Sequence, residues 1–277
     1  MKILDWDEFI KTGCGKPRAA SVGVFDGVHR GHQRLLNLVR AKTPSMESCV
    51  VTFRENPKRI LRPSSFKGSI FNLGKKLEIL ESEGLDTCVL IDFSSDFGTL
   101  SGADFLGLLK KAGVSFLTVG PNFKCGYKMD TNAAALVGLC GILGIEALVA
   151  EPVLYSGHPI SSTRIRNAIA EGRLSEASDM LGRLYEIEYE VDQGLPDSVR
   201  NDPRGAGGEK ASLLLRPRQG SLLPPDGRYE ICLDSDERSD CREASITGGL
   251  IRIDDKAGRG SGRAAIMTMV SRECKEK

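Results

Sequence analysis

"AASVGVFDGVHRGHQRLLNLVRAK", residues 19–42, is an apolar run that breaks at glycines and resumes with a different period. Ala20 to Phe25 predicts a buried strand, and His32 to Lys42 predicts a helix with Leu35, Leu36 and Val39 on one side. The same alternation continues downstream. Strands are expected at Cys49 to Phe53, Thr87 to Ile91, Ser115 to Val119 and Ala147 to Ala150. Helices are expected at Lys75 to Ser82, Ala103 to Lys111 and Ala133 to Leu143, with Gly84 and Gly113 ending the first two. Continuous apolar strands, each followed by about ten helical residues, indicate a parallel sheet covered on both faces. Such sheets bind ligands at the carboxyl ends of their strands.

Two of the three histidines in the chain, His29 and His32, fall in the first of those turns with Gly31 between them. A helix N-terminus offers unpaired N–H groups and a positive dipole end, and Gly31 lets an anion approach the backbone. Imidazoles there can donate to phosphate oxygens as charge builds on them, which lowers the barrier to nucleotidyl transfer without a covalent intermediate. A zinc site would need a third ligand, and only His158 remains among the histidines. Simple helix capping is the structural alternative.

A second motif of the same kind lies at Ile160-Ser161-Ser162-Thr163-Arg164-Ile165-Arg166. Ser161, Ser162 and Thr163 open a helix with hydroxyls, and Arg164 and Arg166 add charge. Alone it reads as an N-cap. With the histidine pair it suggests two phosphate-binding helix starts, both following strands of one sheet, and a polyphosphate lying across the sheet edge.

Composition narrows the class. The 277 residues carry 38 basic and 37 acidic side chains, so bulk charge does not favour a nucleic-acid partner. Eight cysteines show no C-x-x-C spacing and read as reduced thiols. The opening MKILDWDEFIK places acids inside its apolar stretch, and no run reaches the roughly 18 apolar residues of a membrane span. A cytoplasmic protein without a membrane partner is expected. No pattern specifies an oligomeric state.

Near Tyr185 the helical periods stop, and short strands separated by turn signals follow. A boundary is expected at 186, giving an α/β domain over 1–186 and a small β-rich region over 187–277. The glycine-rich GRGSGR at 258–263 is a poor nucleotide loop, because Arg263 stands where its last glycine would be.

Residues 23–32, Gly-Val-Phe-Asp-Gly-Val-His-Arg-Gly-His, and the motif at 160–166 resemble the two signature motifs of bacterial FAD synthetase, the bifunctional riboflavin kinase/FMN adenylyltransferase family. Lys75, Leu77, Leu80 and Gly84-Leu85-Asp86 are similar to its lysine-bearing helix and the turn after it. Asp104-Phe105-Leu106 and Val119-Gly120-Pro121-Asn122-Phe123-Lys124-Cys125-Gly126 resemble its next helix and loop, and Gly172, Ala177 and Leu181-Gly182-Arg183 close the region. The resemblance covers about residues 15–185. It implies a Rossmann-like nucleotidyltransferase domain that transfers AMP from ATP to FMN and releases pyrophosphate. By that resemblance His29 and His32 hold the ATP phosphates and stabilise charge at the α-phosphorus. Ser162, Thr163 and Arg166 bind the outer phosphates with Arg164 beside them, Gly23, Phe25 and Gly31 form the nucleotide pocket, and Asn122 and Phe123 face the flavin. Mg²⁺ is the expected metal, with no ligands assigned.

The chain departs from the family pattern at several points. Phe53-Arg54-Glu55-Asn56-Pro57 lacks the histidine of the family's Phe-x-Pro-His-Pro, Cys125 replaces an aromatic, and Thr131 stands near a usual glycine. The kinase motif Gly-Arg-x-x-Gly-x-Pro-Thr-Ala-Asn has no match in residues 192–218, and only Leu223-Pro224-Pro225-Asp226-Gly227-Arg228-Tyr229 is reminiscent of that domain. The expectation is a degenerate riboflavin-kinase-like barrel without kinase activity. Two other readings stand beside it: a non-catalytic flavin- or nucleotide-binding protein, and a nucleotidyltransferase with another acceptor.

Overall fold

Every residue of the strand Arg18–Val22 is buried, as is every residue of Thr87–Ile91. Strands covered on both faces read as mostly apolar, and here Arg18, Ser21 and Thr87 are the buried polar exceptions. The computed structural model describes residues 1–12, 15–191, 213–218, 220–233, 241–253 and 261–271. Six strands form a parallel sheet: β1 (Lys2–Asp5), β2 (Arg18–Val22), β3 (Glu47–Phe53), β4 (Thr87–Ile91), β5 (Val114–Val119) and β6 (Glu146–Val149), in the order β1-β4-β3-β2-β5-β6. Five of these match expected strands. The sixth, β1, pairs in register with β4, Lys2 opposite Thr87 and Asp5 opposite Leu90. Its Leu4 is buried while Lys2, Ile3 and Asp5 are exposed, an edge-strand pattern too short to separate from a helix start by period alone.

The helices of six or more residues in this unit are α1 (Trp6–Lys11), α2 (Arg30–Arg40), α3 (Leu73–Ser82), α4 (Gly102–Lys111) and α5 (Ala133–Leu143). In α2 the buried residues are Leu35, Leu36 and Val39, the expected stripe. Gly84 and Gly113 take positive φ after α3 and α4, and Gly144 is the left-handed cap of α5. On one face of the sheet the core joins Leu4, Val22, Val51, Val89 and Leu117, which share cross-strand register, with Phe9, Phe105 and Leu136 from the covering helices.

The chain divides into two compact units, Met1–Phe66 with Asn72–Ile160, and Lys67–Phe71 with Ser161–Lys277. The compositional change near Tyr185 marks the start of the barrel strands. The unit that contains them begins earlier, because helices α6 (Ser162–Ala170) and α7 (Leu174–Leu181) belong with it.

In this second unit six antiparallel strands close on themselves: β7 (Tyr185–Val191), β8 (Leu213–Pro217), β9 (Gly227–Leu233), β10 (Cys241–Thr247), β11 (Leu250–Ile253) and β12 (Ser261–Ser271), in ring order β7-β8-β11-β10-β9-β12. Tyr185, Ile187, Tyr189, Leu215, Tyr229, Ile231, Ile246 and Ile251 are buried, as period-two strands around one core require. The buried Tyr185 and Tyr229 hydroxyls donate to the Leu222 and Pro225 carbonyls. Cys49, Cys88, Cys125 and Cys140 are free thiols, as expected. Cys232 corrects that expectation, because it is disulfide-bonded. The kinase-motif region at 192–212, Gly258 to Gly260 of the glycine-rich segment, and Cys14 and Cys274 lie outside the described residues.

Candidate functional site

The strand order reverses at β2, which has β3 on one side and β5 on the other, so the loops leaving β2 and β5 flank the topological switch point. Loop 23–29 and the first turn of α2 carry the histidines. Gly23 donates its N–H to the Val51 carbonyl at 3.1 Å, and Val28 donates to Phe25 at 3.2 Å to close a turn. Phe25 and Val28 are fully buried, yet they take φ of 50° and 38°, a left-handed conformation costing a non-glycine residue about 1–3 kcal/mol. Their burial holds them there. A Cβ on Gly23 would lie 3.2 Å from the Phe25 ring, so glycine at 23 is what lets that ring cover the backbone.

His29 caps α2 from an extended conformation, and its Nδ1 accepts the His32 N–H at 3.3 Å. The ring proton of neutral His29 is therefore on Nε2. The two imidazoles stack with centroids 3.6 Å apart, and the Phe25 ring stands 5.0 Å from His32. A Cβ on Gly31 would come within 3.2 Å of the His29 ring. Gly23, Phe25, His29, Gly31 and His32 thus form one cluster at the carboxyl end of β2.

On the other side of the switch point, Asn122 is exposed and Phe123 is half-buried against the core, in a turn closed by Phe123 N–H to Gly120 at 3.1 Å. Asp130 anchors this loop. Its Oδ1 accepts from the Gly102 N–H at the start of α4 at 3.1 Å and from the Thr131 hydroxyl at 2.8 Å. Thr131 thus has a bonding role that a glycine would not fill. Burial, with Asp130 and Cys140 adding to it, pushes the Cys125 thiol up to about 12, so this side chain is a neutral packing group.

Beneath loop 23–29 lies a buried polar group that sequence reasoning passed over. Lys76 of α3 is 7% exposed, and its Nζ donates to the Phe53 carbonyl at 2.6 Å and the Thr52 hydroxyl at 3.4 Å. Thr52 in turn donates to the Val24 carbonyl at 3.0 Å. Asp26, also buried, accepts from Asn56 Nδ2 at 3.3 Å, while Asn56 Oδ1 caps the short helix Pro57–Leu61. Asn56 stands where the family pattern has histidine. Burial lowers the Lys76 pKa to about 8 against the opposing pull of Cys88 and Asp26. A signal existed: Lys76 precedes Ile79 and Leu80 by three and four residues, which puts it on the buried face of α3.

The second motif belongs to the second unit. Ser161 caps α6 by accepting the Arg164 N–H at 3.2 Å, as its residue type predicts. Ser162 is half-buried and Thr163 exposed. Arg164 pairs with Glu176 of α7 at 3.3 Å, and Arg166 Nε donates to the Gly68 carbonyl at 2.9 Å. One expectation is corrected here. Helix α6 does not follow a strand of the parallel sheet directly, because a two-strand hairpin, Leu154–Tyr155 with His158–Pro159, intervenes. Its two-residue turn, Ser156-Gly157, takes positive φ at both positions, the backbone that a tight hairpin needs.

Among the described residues no group of three His, Cys, Asp or Glu could hold a metal ion, and no helix is long and apolar enough to cross a membrane. Mg²⁺ keeps several waters and binds through substrate phosphates, so the absence of a protein cage among the described residues is compatible with it.

The sequence profile of the family described as FAD synthetase matches residues 13–164. The bifunctional riboflavin kinase/FMN adenylyltransferase of Pseudomonas fluorescens is 30% identical over 233 residues, 82% of this chain and 70% of that one. Those of Buchnera aphidicola (from Acyrthosiphon pisum) and Escherichia coli K12 are 29% and 28% identical, over 70% and 66% of this chain. The chain spans 63% and 59% of their lengths. A solved structure from Streptococcus pneumoniae, described as a macrolide-efflux protein, shares the fold with a TM-score of 0.82 at 22% identity, covering all of this chain and 93% of that one. With more than half of its 277 residues inside the matched profile, the chain belongs to the FAD synthetase family.

Proposed function

We propose that the protein is an FMN adenylyltransferase that joins AMP from ATP to FMN. An FMN phosphate oxygen attacks the α-phosphorus, the bond from that phosphorus to the bridging oxygen breaks, and pyrophosphate leaves. The observation that carries this reading is the stacked His29–His32 pair at the N-terminus of α2, beside the switch point. Nε2–H of His29 and the His32 ring donate to the α-phosphate oxygens as they gain charge. Gly31 leaves room for the anion at the backbone, and Gly23 and Phe25 shape the nucleotide pocket. On the β5 side Asn122 and Phe123 meet the flavin.

In the second unit, Ser162, Thr163 and Arg166 bind outer-phosphate oxygens of a nucleotide. The Arg166 Nε contact with Gly68 fixes the guanidinium plane and orients its terminal nitrogens. Arg164 carries less of this role, because Glu176 offsets its charge. Mg²⁺ bound to the ATP phosphates would neutralise part of their charge.

We further propose that residues 187–277 keep the barrel frame without riboflavin kinase activity. The missing motif in residues 192–218 supports this. The deciding experiment measures pyrophosphate release from ATP and Mg²⁺ with FMN, riboflavin and other phosphorylated acceptors. FAD from FMN, with no product from riboflavin, is expected. Phosphorylation of riboflavin would overturn the second proposal, and no release with any acceptor would overturn the first.

A further inference from the structure

Loop 23–29 must hold two strained residues and still place the histidine pair. Burial of Phe25 and Val28 accounts for the apolar half of that task. The polar half lies below. Lys76 Nζ can only donate, so the Thr52 oxygen that receives its weak 3.4 Å bond must turn its own proton outward, and that proton meets Val24. A cation at the head of such a chain strengthens the bond beyond it. On the far side of Phe25, Asp26 is held through Asn56, and its charge acts on Lys76. The backbone at Val24 and the side chain at Asp26 are thus fixed on either side of the first strained residue, the first through the Thr52 hydroxyl that Lys76 contacts and the second through Asn56.

We propose that Lys76 is a positioning residue for nucleotidyl transfer: its ammonium holds the end of β3 and, through the Thr52 hydroxyl, the Val24 carbonyl, so that loop 24–28 keeps the conformation that presents His29 and His32. It does not touch the nucleotide. Its role at the reaction rests on the adenylyltransferase reading above, whereas its hold on the loop does not. A misplacement on the order of 1 Å can cost about a hundredfold in rate when it reaches the reacting groups.

The test uses the full chain with K76M, T52V and T52S. Hydrogen exchange at the Val28 and His32 amides is measured without nucleotide, and pyrophosphate release is measured with it. K76M should speed exchange at those two amides and lower kcat by roughly tenfold to a hundredfold, with a smaller change in KM for ATP. T52V keeps the charge and removes the hydroxyl, so it should shift exchange and kcat in the same direction by less. T52S should restore both. Exchange and kcat unchanged in K76M would overturn the proposal, as would faster exchange spread evenly over β2 to β5. If K76M does not fold, T52V against T52S decides: wild-type exchange in T52V overturns it. Absent pyrophosphate release in wild type would overturn the adenylyltransferase reading and the catalytic part of this one, while the exchange comparison would still decide whether Lys76 holds the loop.

Discussion

His32 carries the clearest prediction at the scale of single residues. It stacks on His29 and lies beside Phe25, and it is half-buried rather than locked in the core. Its replacement by alanine removes a donor to developing charge while leaving the cap on α2, which His29 supplies. H32A is expected to keep the unfolding transition and most ATP affinity but to lose roughly a hundredfold in kcat, measured by pyrophosphate release. Lys76 sets the pH dependence. Burial is the main influence and brings its pKa from 10.5 to about 8, whereas the unfolded chain restores the ordinary value. Between those values the unfolded chain binds the extra proton, so stability from this group rises with pH. Turnover should do the opposite and fall as pH passes about 8, because the ammonium leaves Phe53 and Thr52. The other groups around it are Asp26, Cys88, and Lys75 and Glu78 on its own helix, and Cys88 is held up to about 11 by burial, so it stays a thiol in this range. The kcat–pH profile of K76M should lack the fall that wild type shows near pH 8. The histidine pair was legible because its spacing was rare for this composition. Lys76 was harder to read, because a lysine in a sequence defaults to the surface, and its spacing from Ile79 and Leu80 was the one sign that it lies on the buried face of α3.

Among elements, the loop from β5 to α5 has the tightest construction. Gly126 has a φ of 82°, and a Cβ there would lie 2.1 Å from Asp130 Oδ1 and 2.4 Å from the Gly102 N–H. G126A should therefore release Asp130 from α4 and destabilise the first unit by about 3 kcal/mol, read from denaturant midpoints at constant slope. In the second unit, reducing the disulfide at Cys232 should lower barrel stability by about 2 kcal/mol, seen as an earlier unfolding transition with reductant than without. Elements that repeat a long period were readable in advance: α5 and β4 begin and end where apolar runs do. The four-residue β1 and the Ser156-Gly157 hairpin were not, since short segments carry too few residues to set a period and owe their form to a neighbour or a turn.

For the whole molecule, parallel sheet and antiparallel barrel divide the sequence according to how each buries its strands. The change of texture near Tyr185 was visible because period-two strands replace helices there. The allocation of α6 and α7 to the second unit was not, because amphipathic helices look alike whichever core they cover. Closure of the barrel has a consequence for how such a chain changes over generations. Every strand in the ring already has two neighbours, so the hydrogen-bond ladder is complete without any side chain from the connecting segments. Substitutions in those segments leave the backbone ladder of the ring untouched. A lineage screened only for abundance would keep the ring intact while whatever chemistry its loops once performed drifted out of reach.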